Sequence, residues 1–505
     1  MTNQTKLTNL NRLLSVVLFF ALTIRALALP STGSNNLMTT PGVSFSQTTA
    51  ATLTFNAPDK AILNWNNFGS GNDYIAAGDT IQYFLPNAAS SVLNIVSGVN
   101  NTTIGGTIES NAKVFILNPN GIIIGNAARI DTAGLVLSTV DNPFSAQAKF
   151  MENGTLPSQA GVRSAQGNTQ ILSGAIIASP NITILTKDIT IGGVLSDGAL
   201  RIAADGAVVV GASGLTTLVS GGLTIDNPTG TTTLGAPAGI VTTLNGDIAV
   251  TSVSGNITNQ AGSRLSARNL TLNTTTGDIT IGSTVALNVT ANAKNVSVAF
   301  DAAPAAVFNG SATGNLTVTS PTFLTLGNVT GQSAGNYSFT SGATLTLDKV
   351  HLNNTGATSF TGTRVADTTD GIFVYGPTAF TATSGDVVIT KANHSFGPLS
   401  LNATGNATVF ENGATNLNVV NVKELALKTG EFFFQTPNTA ALVATKLNLA
   451  SLGNVTFNTG TIGAGGLTIA AGTGNVDLSR LSLATNLGGV APVVTTTGTV
   501  TPPAQ

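Results

Sequence analysis

Apolar residues along this chain follow two different rules. From about residue 180 onward they alternate with Thr, Ser and Asn, as in GDITI at Gly277, GNLTV at Gly314 and GNVTF at Gly453, the period-two pattern of strands with one buried face. Around Val114 the alternation stops. VFILNPNGIIIG, Val114 to Gly125, sets four apolar residues, a polar tetrapeptide and three isoleucines in a row, and each aliphatic run reads as a strand buried on both sides. The tetrapeptide is built to turn: Pro119 fixes φ for the second position of a type I turn, Asn118 can hydrogen-bond the turning backbone, and Asn120 and Gly121 tolerate the positions that follow. Taken alone it fits a hairpin, because NG between apolar runs is a hairpin signal, or a corner between consecutive strands of a larger wall.

The alternating part carries a repeat. A signature of Gly, then Asn or Asp, an apolar residue, Thr or Ser and another apolar residue recurs at Gly277, Gly314, Gly335 and Gly453, and in looser form as GDIAV at Gly246 with Ala in the fourth place, GNIT at Gly255, GNVDL at Gly474 and KNVSV at Lys294. Its second residues Asn256, Asp278, Asn295, Asn315 and Asn336 lie 22, 17, 20 and 21 positions apart. A unit of this length, with strand formers, Gly/Asn turns and no helical period, predicts one coil of a solenoid made of three short strands and their turns. Leucine-rich repeats are excluded by the missing LxxLxLxxN frame. The fold expected is all-β: a single-stranded right-handed parallel β-helix with an N-terminal cap, apolar residues inside, and Asn before each strand forming a hydrogen-bonded ladder at the corner.

Composition narrows the function classes. Only 8% of the 505 residues are charged, Gly numbers 56, Cys is absent and the net charge is −2. That removes a disulfide framework, a thiolate metal site and the basic footprint of a nucleic-acid binder. At the start, Lys6 and Arg12 precede the apolar run Leu13 to Ile24, and Ala26-Leu27-Ala28 supplies small residues two apart, as a secretory signal peptide ending at Ala28 requires. No later segment reads as a membrane span. LPSTG at Leu29 to Gly33 matches a sortase pattern but sits at the wrong end of the chain for it. The last twenty residues turn Thr- and Pro-rich, as a linker, a cap or a further stretch of solenoid.

Three stretches then fall together in order and spacing: AILNWNNF at Ala61, SVLNIVSG at Ser91, and GTIESNAKVFILNPNGIIIG at Gly106, followed by AGLVLST at Ala133. They resemble the N-terminal secretion domain of two-partner secretion exoproteins, the filamentous haemagglutinin N-terminal or haemagglutination activity domain, closely over about residues 35 to 145. Ile95 stands where the related VALNRV pattern has Arg, and the NPNL motif of some members is missing, though Leu85-Pro86-Asn87 lies nearby. LPSTG is similar to the LPTGG start of many members. The resemblance implies the domains 1–28 signal peptide, 29–190 secretion domain, 191–485 β-helix repeats and 486–505 tail. It implies export through the periplasm of a Gram-negative bacterium by an Omp85-type outer-membrane transporter, to the medium or cell surface, where an adhesin-like chain would meet a host or cell-surface ligand. It makes Asn118, Pro119, Asn120 and Gly121 the secretion motif, with Asn64, Trp65 and Asn94 as supporting family positions.

The remaining residues of interest have plainer readings. Trp65, the one Trp of the chain, is expected to pack in the first coils rather than touch a partner. Of Phe432-Phe433-Phe434, at least one is expected to be exposed, since three successive residues cannot all face inward. His351 and His394 read as solvated surface residues. A carbohydrate-active β-helix lyase or hydrolase is the alternative function, but its site needs clustered carboxylates and basic groups, and the acids here are dispersed. GTGNVD at Gly472 lacks the GGxGxD tandem of calcium-binding repeats. No catalytic residue, metal ligand or cofactor is assigned, and no enzymatic activity is expected.

Overall fold

In the computed structural model the residues described are 29–33, 36–69, 75–141, 143–155, 165–192, 195–211, 216–243, 246–301, 305–434, 442–444, 446–457, 461–462, 466–481, 487 and 490–503. The signal-peptide segment 1–28 lies outside them. Strands dominate throughout, pairing in parallel from coil to coil, so the fold is a parallel β-solenoid. The chain divides into two compact units, Met1–Ala207 with Thr217–Ser220, and Val208–Thr216 with Gly221–Gln505.

The first unit opens with a cap. Ser44–Thr49 pairs antiparallel with Thr52–Asn56, and Leu37–Thr39 antiparallel with Ala61–Trp65. Every later pairing described in this unit's ladders is parallel, and each coil contributes three strands. One column runs Ala61–Trp65, Ser91–Val96, Lys113–Leu117, Gly134–Ser138, Asn181–Thr186 and Ala199–Ala204. A second runs Thr102–Ile104, Gly121–Ile124, Asn168–Ile171 and Ile189–Ile191. The two aliphatic runs around the tetrapeptide therefore belong to different columns and each pairs with the coils before and after it. The hairpin reading falls, and Asn118–Gly121 is a corner.

The double burial of the first run, Val114 to Leu117, has a cause that strand periodicity did not announce, whereas in the second run Ile123 is only half-buried. Between Gly134–Ser138 and Asn181–Thr186 the chain makes a detour that includes an α-helix, Pro143–Asn153, where no helix was expected. Alternate residues of the first column face the interior, and the others, Ile62, Leu93, Ile95, Phe115, Leu117 and Val136, form the bed on which Ala146 and Phe150 of the helix lie. Phe115 and Phe150 meet edge to face at 5.3 Å. Ala146 and Phe150 are four apart and share one face of the helix. Pro143 suits the first helical position. Gly154, at φ +68°, donates to the Phe150 carbonyl and closes the far end. Lys60 Nζ donates to the carbonyls of Met151 (3.1 Å) and Glu152 (2.9 Å), placing a cation at the negative end of the helix dipole.

In the second unit most strands alternate, as in the burial of Asn269–Thr274, though Thr232–Leu234 and the run Val365, Ala366 and Asp367 are buried throughout. The Asn ladder expected from the repeat is present. Asn256 Oδ1 accepts from Asp278 N at 2.9 Å, Asn295 Nδ2 donates to Asp278 Oδ1 at 2.8 Å, Asn295 Oδ1 accepts from Asn315 N at 2.9 Å, and Asn315 Oδ1 accepts from Asn336 N at 2.9 Å. The preceding Gly is explained by close approach rather than by φ. A Cβ on Gly277 would lie 2.3 Å from the Gly255 carbonyl oxygen, and one on Gly474 2.0 Å from that of Gly453, so at these corners only Gly lets the coils stack. Inside, Phe339, Phe360 and Phe380 stack on consecutive coils at 5.4 and 5.1 Å. The three-strand coil does not persist here. Leu324–Ser333 and Thr344–Asn354 are single long strands; Gly327 is absorbed as a register shift rather than a break, and Thr344–Asn354 pairs with two shorter strands of the next coil, Arg364–Asp367 and Phe373–Val374.

Residues past 485 continue the ladders instead of leaving them. Val493–Thr495 pairs with Thr468–Ala470 and Val500–Thr501 with Val476–Asp477. The corner signature survives there in altered form: Gly498 sits over the Gly474 carbonyl, and Thr499 N donates to Asn475 Oδ1 at 2.9 Å. The side chains of Phe432, Phe433 and Phe434 lie outside the described residues.

Candidate secretion site

The tetrapeptide corner is held from within by one buried amide. Asn118 is fully buried, and a buried Asn is tolerated only when its donors and acceptor are used. Its Nδ2 donates to the Asn100 carbonyl (2.9 Å) and to Thr102 Oγ1 (3.0 Å), both on the preceding coil. Its Oδ1 accepts from Asn120 N (2.9 Å) and Asn120 Nδ2 (3.1 Å) within the turn. The backbone turn is closed by Gly121 N donating to Asn118 O at 3.2 Å.

Asn120 reaches back as well, its Nδ2 donating to the Gly98 carbonyl at 2.5 Å. Gly121 takes φ +135°, and a Cβ there would meet the Asn168 carbonyl oxygen at 2.9 Å. On the next coil, Gly167 lies so close above that a Cβ would fall 2.5 Å from Gly121 N. Below, Gly98 is pressed against the Asn66 carbonyl oxygen, 1.9 Å from where its Cβ would be. Beneath that, Asn36 Oδ1 accepts from Asn67 N at 2.7 Å. Of the motif, Asn118 and Gly121 are buried, Pro119 is half-buried and Asn120 is exposed. The inner pair holds the corner; the outer pair is the part a partner can touch.

Trp65 and Asn94 meet in the interior, as neighbours on consecutive coils. Asn94 Oδ1 accepts from Trp65 Nε1 and from the Tyr83 hydroxyl, each at 3.0 Å, while its Nδ2 donates to the Phe115 carbonyl at 3.2 Å. Burial pushes the Tyr83 phenol far up, against the smaller lowering effect of its bond to Asn94. Phe55 stacks on Tyr83 at 5.4 Å and meets Trp65 edge-on at 5.9 Å; Phe68 lies 4.9 Å from Trp65. Trp65 is wholly buried and packs the cap onto the first coils. Asn64 is not part of this cluster. It is half-buried, points to the opposite face, and pairs with Met38 and Ile95 in register. Tyr83, Thr102, Gly98 and Asn36 were missed by sequence reasoning; only the Asn and Gly richness of corners pointed toward the last two.

The two histidines differ. His351 is exposed, but His394 is fully buried, contrary to its reading as a surface residue. Its Nδ1 accepts from Ile372 N at 3.0 Å and its Nε2 lies 2.8 Å from Asp367 Oδ2, so the proton sits on Nε2. Asp367 also accepts from Thr390 N and Lys391 N. Burial pushes its carboxyl up, but these bonds together outweigh burial and leave it below the usual range. Glu411, also buried, accepts from Phe396 N at 2.7 Å and Thr415 Oγ1 at 2.5 Å; burial dominates and pushes its carboxyl up to about 7. Among the described residues no group of three or more His, Asp or Glu is arranged to hold a metal.

The fold and this corner define an N-terminally capped parallel β-solenoid whose first coils are tied together by asparagine brackets. The TPS secretion domain model matches residues 35–318, and the chain belongs to that two-partner secretion family of exported β-helical proteins. Similar curated proteins are two heme/hemopexin-binding proteins of Haemophilus influenzae. One is 35% identical over 100 residues, 20% of this chain and 10% of that protein. The other, from strain ATCC 51907 / DSM 11121 / KW20 / Rd, is 35% identical over 79 residues, 16% of this chain and 8% of that protein. The match spans about a tenth of the length of these relatives. The crystal structure of the HMW1 secretion domain from Haemophilus influenzae is also similar, at 16% identity and a TM-score of 0.27, covering 82% of this chain and 99% of that one.

Proposed function

We propose that the chain is an adhesin-like exoprotein that crosses the periplasm of a Gram-negative bacterium and leaves through an Omp85-type outer-membrane transporter, which recognises the first coils. The observation that carries this reading is the Asn118–Gly121 corner within a domain of the two-partner secretion family. During export only a few coils exist, so a corner that ties three consecutive coils together makes the emerging domain a recognisable folded body. Pro119 and Asn120 present its outer surface. Residues 1–28 act as the signal peptide, 29–190 as the secretion domain and 191–485 as the presenting wall.

Catalysis is not part of this function. Asp367 and Glu411 are buried and spend their oxygens on His394, backbone and hydroxyl donors, where no polysaccharide can reach them. The test is co-production with and without an Omp85-type transporter bearing periplasmic POTRA modules. Extracellular chain is expected only with the transporter; equal export in its absence would overturn the reading. Incubation of the exported chain with pectin and alginate should release no cleavage products, and turnover abolished by one Asp substitution would restore the enzyme alternative.

A further inference from the structure

We propose that the outer wall of the second unit carries a binding site for a neutral oligosaccharide, centred on His351, Tyr375, Gln332 and Asn353. The inference rests on the adhesin-like reading and names its ligand class. Two outward columns run side by side across consecutive coils. In one, Ser311, Thr330, His351 and Phe373 follow each other in register. In the other, Gln332 pairs with Asn353, and Tyr375, whose N donates to the Leu352 carbonyl, continues the line. The hydroxyl and amide rungs border a pocket of about 350 Å³, within the size range of small-molecule sites. Beside it the side chains become rings: His351 lies 5.3 Å from Phe373 and 6.2 Å from Tyr375.

The chemistry suits a sugar. Tyr375 is 55% exposed, an open aromatic face beside the Ser311, Thr330, Gln332 and Asn353 rungs. Such a face covers the C–H side of a pyranose, while amides and hydroxyls at the next rung bond its hydroxyl groups. No carboxylate, lysine or arginine lines the pocket, which favours an uncharged chain over an acidic one. Rungs of a parallel sheet repeat at about 4.8 Å, close to the advance of one hexose, so an extended glycan along the coils meets a side chain of these two columns at each rung. A single ring on a surface has no such repeat.

Titration calorimetry of the exported chain with cellohexaose, maltohexaose and chitohexaose is expected to show at least one binding at a Kd of about 1 mM or tighter. Tyr375→Ala should weaken that binding by about tenfold or more, Tyr375→Phe should keep it, and Gln332→Ala with Asn353→Ala should weaken it too. All these side chains are exposed, so the melting transition should not move. Absence of binding by every probe, or parent-like binding by Tyr375→Ala, overturns the site. Attachment to cells separates this from the broader reading. If the chain attaches and Tyr375→Ala attaches equally, the sugar site is wrong and the adhesin-like reading stands. If sugar binds through Tyr375 but the chain does not attach, the adhesin-like reading falls and the site stands.

Discussion

The corner at Asn118 and the corners of the second unit meet the same demand by different means. Each must hold one coil above the last. In the repeats a single Asn or Asp oxygen accepts one backbone N–H from the next coil, over a Gly too close to its neighbour for any Cβ. At Asn118 one amide makes four bonds, to the coil below and within its own turn, and the wall beside it is covered by a helix. The difference shows where redundancy lies. A ladder rung has equivalents above and below it, whereas the Asn118 bracket belongs to the first few coils and has few neighbours to share its load.

The comparison can be broken at several points. The largest effect is expected from Trp65→Ala, at about 3–5 kcal/mol for a buried large-to-small change, because Asn94 and Tyr83 also lose their packing. Hydrogen exchange in Ala61–Trp65 and Ser91–Val96 should rise while the second unit stays protected; unchanged protection would mean the cap is not held by this core. Next, Gly277→Ala should cost about 1–3 kcal/mol by overpacking, read as a lowered urea midpoint. A neutral result would show that the corner relaxes and that Gly is not required there.

Asn118→Ala leaves the Asn100 carbonyl, Thr102 and Asn120 N without that partner, a loss of about 1–3 kcal/mol. Asn295→Ala removes a lighter rung, about 0.5–1.5 kcal/mol. If denaturation ranks them in the reverse order, the asymmetry between the corners is wrong. A further effect appears only when pH is varied. Glu411 titrates near 4.5 when unfolded but at about 7 in place, so it stays protonated in the folded chain while the unfolded chain ionises. Its effect on stability is most favourable below 4.5, declines as pH rises toward 7, and levels off above. Glu411→Gln should flatten that decline in urea unfolding followed between pH 4.5 and 7. Asp367 acts in the opposite sense: its carboxyl is lowered, so its contribution is present above the ordinary carboxylate range and lost as pH falls through the lowered value.

The solenoid and its ladder were legible because they repeat. Asn256, Asp278, Asn295 and Asn315 announce their contacts by spacing alone, and the Gly before each except Asn295, which follows Lys294, announces the close approach. The corner at Asn118 was legible as a turn, but its partners Asn100 and Thr102 were not, since nothing local marks which residue of the previous coil lies beneath. The helix was hidden because PFSAQAKFMEN offers only a short apolar stripe. Its real trace was the missing alternation in VFIL, whose Phe115 and Leu117 needed a cover. His394 was misread because a histidine among Asn and Ser looks solvated until Asp367, 27 positions earlier, is placed against it by the coil.

The most direct test compares export of Asn118→Ala and Asn454→Ala with the transporter present. Asn454 Oδ1 accepts only a late rung's bond, from Asn475 N at 3.0 Å. Extracellular yield, quantified against the parent chain, should fall strongly for Asn118→Ala and stay near parent for Asn454→Ala, while both purified and refolded variants still fold and melt cooperatively, Asn118→Ala only several degrees below the parent. Parent-like export of Asn118→Ala, or an equal block by Asn454→Ala, would contradict a special role for the Asn118–Gly121 corner in secretion.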